Sequence, residues 1–231
     1  CLASNPMQNY IDKAASQDCM KTLHEILPQI VAEPLLHSRM VNTLSRMEYV
    51  GTRKMLKARN SARMDNDGLM HIIEEASHAL RLKRAAIKLN GGTEEGIATY
   101  SDAHTLAGDA AENYLQQVDR ACETIVADCG LSFDDQSEAN YILSSVAIEV
   151  RADCFYPIYE KCLVEVGAPF SVSSILKDEE QHLKEMSEKA AVLFGDNWRN
   201  VFDKAFAAES TFFIDWSNNI KDAACLSTTP R

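Results

Sequence analysis

Glu75-Ala76-Ser77-His78 and Glu179-Glu180-Gln181-His182 are the two stretches on which the fold of this chain turns. Each reads Glu-x-x-His. On an α-helix, residues i and i+3 project from one face about 60° apart and one turn along the axis, so carboxylate and imidazole converge. A lone glutamate stands upstream of each stretch: Glu48 is 27 residues before Glu75, and Glu149 is 30 before Glu179. That separation is one helix, a turn and part of the return helix. It puts each lone glutamate beside its Glu-x-x-His on an antiparallel neighbour. The half-pattern repeats after about a hundred residues, and two such hairpins packed face to face bring four glutamates and two histidines to one depth.

The residues around them read as apolar helical seams, which should contain no carboxylates. The four seams are Val41, Leu44, Glu48, Met55; His71, Glu75, His78, Leu82, Ala85, Leu89; Ile142, Ser145, Glu149, Ala152, Tyr156; and Val172, Ile175, Glu179, His182, Met186, Ala190. A buried carboxylate must be neutralised, paired or bound to a metal. A polar core network with arginine or lysine would also satisfy the glutamates, but no seam carries a cation. One metal centre explains all six residues together.

The rest of the chain agrees with a helical domain. It has 231 residues, 46% hydrophobic and 25% charged, with only 9 glycines and 6 prolines. This composition excludes disordered, collagen-like and low-complexity chains, and no apolar run is long enough to span a membrane. Residues 6–27 read as one or two short helices stopped by Pro28. Pro34 opens a long helix to about Arg63, and Asp65-Asn66-Asp67-Gly68 caps a second that stops at Asn90-Gly91-Gly92. A third runs from Ser101 to Asp128. A fourth runs from Asp134-Asp135 to Val166, with Pro157 as a kink or break. A fifth spans Ser171–Phe194, and an aromatic sixth Asn197–Ala224. No stretch alternates as a strand. The expectation is a single all-α domain over 1–231: a four-helix bundle at about 34–194, an added helix between its halves, and helical extensions at 1–33 and 196–225.

The net charge of −11 argues against nucleic acid as a partner, and Arg81, Lys83, Arg84 and Lys88 read as a solvated helix face. The seven cysteines (1, 19, 122, 129, 154, 162, 225) include no CxxC and fit neither a disulfide framework nor a zinc knuckle. Free thiols point to a reducing, cytoplasmic compartment. Cys1 is read as the start of an ordered stretch, with a processed lipoprotein anchor as the alternative.

The doubled Glu…Glu-x-x-His pattern resembles the ferritin-like di-iron carboxylate superfamily, over about residues 34–194. The resemblance implies that Glu48, Glu75, His78, Glu149, Glu179 and His182 hold two iron ions, with manganese or a mixed pair as alternatives. Glu75 and Glu179 would bridge the metals or chelate one, and Glu48 and Glu149 would be terminal. The form Asp178 to His182 resembles bacterial multicomponent monooxygenases and the ribonucleotide reductase small subunit, where the preceding acid contacts the histidine of the opposite pair. That implies Asp178 with His78 and Glu74 with His182, against the alternative of two exposed charges. His71, one turn before Glu75, reads as a core histidine with a hydrogen-bond partner, or else as a seventh ligand. Asp153 stands behind the ligands or at a pocket mouth, and Tyr156 and Tyr159 are core or rim residues.

The resemblance also implies a di-iron oxygenase or oxidase. The metal ligands carry the chemistry, and the substrate is small and apolar or aromatic. Gly51, Ala79, Ala152 and Met186 would line its cavity. Leu82 stands where a radical tyrosine would be in the reductase subunit. Rubrerythrin-type peroxidases carry paired CxxC motifs absent here, and ferritin is smaller and lacks the second histidine at its catalytic site. The alternatives are a ferroxidase, peroxide-handling or storage protein, and a non-catalytic scaffold. His71-x-x-x-Glu75-x-x-His78 is close to the motif of haem-oxygenase-like di-iron oxidases, but that leaves the second Glu-x-x-His unexplained. The partners expected are substrate, O2 and a separate electron donor, with no membrane; a homodimer stays open.

Overall fold

Helix starts and stops follow local chemistry. A computed structural model describes residues 6–58 and 61–227, with Leu226 and Ser227 as backbone only; Cys1 lies outside the described residues. Its α-helices are α1 Gln8–Ala15, α2 Asp18–Ala32, α3 Pro34–Ala58, α4 Asn66–Leu89, α5 Ala110–Ala127, α6 Phe133–Glu165, α7 Ser173–Phe194 and α8 Trp198–Ser227, with no strand among the described residues. The fold is all-α. Pro34 is the first residue of α3, where its missing N–H costs nothing. Asp65 caps α4 by accepting from the Gly68 N–H at 2.8 Å, and Ser132 caps α6 through the Asp135 N–H.

α3 packs along α4 and α6 along α7; the two pairs meet through α3–α6 and α4–α7. α5 packs on α6 and α8, and α8 also covers α2 and α6. An internal ion pair fastens α8. Arg151 on α6 donates from Nε and Nη2 to the two carboxylate oxygens of Glu209, each at 2.8 Å. Tyr114 of α5 donates to Glu209 at 2.8 Å, and Gln17 accepts from Arg151 at 2.8 Å. Beside this network the aromatic residues of α8 pack inward. Burial of a side chain such as Phe202 or Phe213 contributes roughly 1.5–3 kcal/mol.

Several helix ends differ from the sequence expectation. Pro28 does not stop α2, which continues to Ala32. Pro28 and His24 both lie on the exposed side of α2, where water can take the hydrogen bond that the His24 carbonyl loses to the proline. α6 likewise runs through Pro157, which is exposed. α3 ends at Ala58 and is followed by a short 3-10 turn at Ser61–Arg63. The helix expected from Ser101 starts only at Ala110. Positive φ at Ala107 and Gly108 breaks it, and Asn42 holds the preceding loop by donating to the carbonyls of Thr99 and His104 at 2.9 and 2.8 Å. Lys83, expected in a solvated face, is half-buried: it donates to Asn42 Oδ1 and to the Ile97 carbonyl at 2.7 and 2.6 Å. The thiols of Cys19, Cys122, Cys129, Cys154 and Cys162 are free. No described helix is long and apolar enough to cross a membrane.

Candidate metal centre

The four seams face one another. Glu48 comes from α3, Glu75, His78 and His71 from α4, Glu149 from α6, and Glu179 and His182 from α7. Their ligand atoms fall into two groups, each within 4.8 Å: Glu48, Glu75, His78 and Glu179; and His71, Glu75, Glu149 and His182. Glu75 belongs to both. Glu179 also faces both histidines, with Oε1 at 2.9 Å from His78 Nδ1 and Oε2 at 3.5 Å from His182 Nδ1.

The two imidazoles are held from behind, across the bundle. His78 donates Nε2–H to Asp178 at 3.0 Å, and His182 donates Nε2–H to Glu74 at 2.8 Å. Each histidine on one helix is therefore anchored by an acid on the other, and its Nδ1 points inward. Those two nitrogens are joined at the centre by Glu179 Oε1. All three are buried and none makes a hydrogen bond, although His78 Nδ1 and Glu179 Oε1 are in contact. Buried polar atoms left this way need an explanation. Among the described residues, no lysine or arginine pairs with Glu48, Glu75, Glu149 or Glu179, so the polar-network alternative has no cation to use. A donor set of imidazole nitrogens and carboxylate oxygens, with imidazoles oriented by carboxylates, fits divalent first-row metals.

The electrostatics follow from crowding four carboxylates in a buried space. Burial, then the charges of Glu179 and Glu75, hold Glu48 well above the usual carboxylate range; burial and Glu179 do the same to Glu149. Burial and Glu179 also push Glu75 upward, but contacts with His182 and His71 outweigh them and hold it low. Glu179 is likewise low against its own burial, through its contacts with Glu149, His182 and His78. Burial opposes charge on both histidines, yet the facing carboxylates raise His78 to about 9 and His182 to about 11. Four carboxylates crowded into a buried space thus favour bound positive charge, which protons or metal ions could supply.

His71 is closer in than a supporting position. Its Nε2 is 3.2 Å from Glu75 Oε1, its ring centroid is 3.9 Å from that of His182, and the Tyr141 hydroxyl is 3.5 Å from its Nδ1. Tyr156 is a buried core residue on the cavity wall, as expected, and it also donates its hydroxyl to Glu48 Oε1 at 2.5 Å. Its position seven after Glu149, on the same seam, is the signal that pointed there. Asp153 belongs to neither ligand group and does not line the cavity. Burial and the charges of Glu180 and Glu179 raise it to about 7.

A cavity of about 630 Å³ reaches the centre. Glu48, His71, Glu75, Glu149 and Glu179 form part of its wall, and most of the remainder is apolar, including Met55, Leu115, Ile148, Phe155, Phe213 and Trp216. Gly51 and Ala152 line it as expected; Ala79 and Met186 do not. A Cβ at Gly51 would stand 3.4 Å from Glu75 Oε2, so the glycine keeps that side of the carboxylate open. Set against family models, curated proteins and solved structures, the chain matches none of them.

Proposed function

We propose that the chain is a ferritin-like di-iron carboxylate oxidoreductase, cytoplasmic, that uses O2 to oxidise or hydroxylate a small apolar or aromatic substrate. One ion would be held by Glu48, Glu75, His78 and Glu179, the other by His71, Glu75, Glu149 and His182. The bound metals would supply redox and Lewis-acid chemistry toward O2. For a hydroxylation, substrate C–H, O2, two electrons and two protons give C–OH and water, the electrons coming from a separate donor protein.

The chain's own residues do the rest. Asp178 and Glu74 hold the imidazoles with Nδ1 inward. Tyr156 fixes one oxygen of Glu48 and leaves the other free. The apolar wall excludes water and receives the substrate's hydrocarbon surface. The observation that carries the oxygenase reading is the apolar cavity ending on the glutamates, because a storage or peroxide-handling site is small and closed.

The test is metal stoichiometry after anaerobic Fe(II) loading of the wild type, Glu75→Ala and His182→Ala. Near two ions per chain, falling in both variants, is the expected result. Metal near zero in the wild type overturns the proposal.

A further inference from the structure

The outer part of the cavity carries a charge opposite to that of the whole chain. The chain is −11 overall, yet Arg53, Lys54 and Lys57 of α3 and Arg120 of α5 all line this one cavity. Two carboxylates offset part of this charge: Arg53 pairs with Glu112 at 3.0 Å, and Lys54 with Asp119 at 2.5 Å. Lys57 and Arg120 are exposed, and neither pairs with a carboxylate among the described residues. Arg120 spends its Nε on the Gln116 carbonyl at 3.3 Å, which leaves its terminal amino groups for another acceptor. The cavity's fifth cation, Arg151, is buried and neutralised by Glu209.

The cavity is thus polarised along its length. Cations stand at the outer end, apolar side chains form the wall, and four carboxylates close the inner end. Walls of one charge sign focus ligands of the other sign. An anionic head group drawn inward would give up its water for an apolar wall; at the outer end it keeps water and meets Lys57 and Arg120.

We infer that this cavity takes an amphipathic organic acid, its carboxylate held by Lys57 and Arg120 and its apolar body directed inward at the metal centre. The inference deepens the oxygenase reading and rests on it for the chemistry, though not for the binding. It also sets the regiochemistry: oxidation falls at the end of the molecule remote from the carboxylate.

The test is calorimetric titration of the metal-loaded full chain with octanoate, octanol and octyltrimethylammonium at low ionic strength. Octanoate should bind about tenfold or more tighter than octanol, the scale of one hydrogen bond to a charged group, and the ammonium probe should bind weakest. Lys57→Gln combined with Arg120→Gln should bring octanoate down to the octanol affinity, leaving octanol binding and metal content unchanged. Equal affinities for acid and alcohol, or a preference untouched by the double variant, overturns the inference. Preference for octanoate in a protein that loads no metal would defeat the oxygenase reading alone. Two metals with no such preference would defeat the ligand class alone.

Discussion

The Nε2 of His78, on α4, lies 3.0 Å from Oδ2 of Asp178, on α7. The relation is reciprocal, since His182 on α7 reaches back to Glu74 on α4. Each acid fixes the tautomer and ring orientation of a histidine from the other half of the chain. Carboxylates placed this way are typically worth 10–100-fold in metal affinity. Asp178→Ala and Glu74→Ala should each lower iron affinity by about that factor, with helicity unchanged by circular dichroism. Chelator competition measures it, and wild-type affinity in both variants would refute the role.

Removing one carboxylate from the centre should have opposite effects with and without metal. Burial and Glu179 already hold Glu149 high, so the metal-free protein bears a cost for this group. Glu149→Gln should therefore stabilise the metal-free protein by about 1 kcal/mol at neutral pH, because a glutamine takes up no proton on folding. The same variant should lose most of the rise in Tm that iron gives the wild type. Paired thermal melts check both signs; a less stable metal-free variant would contradict the first.

His37 predicts an acid-side loss of stability. It is buried, its Nε2 lies 2.7 Å from the Tyr159 hydroxyl, and burial lowers it to about 4. The unfolded chain takes up a proton near 6.5 while the folded chain resists until about 4. Between those values the unfolded state binds more protons, so stability falls as pH falls, by about 3 kcal/mol in all. Urea unfolding at steps from pH 7 to pH 4 should show that slope in the wild type and a shallower one in His37→Asn.

Glu209 is 1% exposed and accepts from Nε and Nη2 of Arg151, itself 3% exposed. Glu209→Ala strands a buried guanidinium and should cost about 3–5 kcal/mol in urea unfolding. Glu209→Leu with Arg151→Met should cost far less, because neither charge is left alone. Equal losses in the two proteins would contradict this.

The helices and the meeting of the six ligand candidates could be read from the sequence because both rest on spacing. A carboxylate every hairpin length on an apolar seam has few other meanings. The errors came from interactions distant in sequence or set by solvent. Pro28 was expected to end a helix, but its lost hydrogen bond falls on the water side. Ser101 was expected to begin one, but Asn42, 57 and 62 residues from its acceptors, ties that stretch into a loop. His71 has the polar partners expected of a core histidine, Glu75 and Tyr141; that it also faces His182 could not be read from one helix, because His182 lies over a hundred positions away. The cations of the cavity rim are surface residues on two different helices, and no local pattern marks them as neighbours.

α8 contributes Phe213 and Trp216 to the cavity wall but none of the candidate metal ligands. The Arg151–Glu209 ion pair pins it to α6, and its two aromatic residues form part of the wall beside the glutamates. Part of the cavity wall is therefore encoded on a segment apart from the candidate ligands. Substitutions at Phe213 and Trp216 can reshape that part of the wall while the candidate ligands, all on other helices, stay as they are.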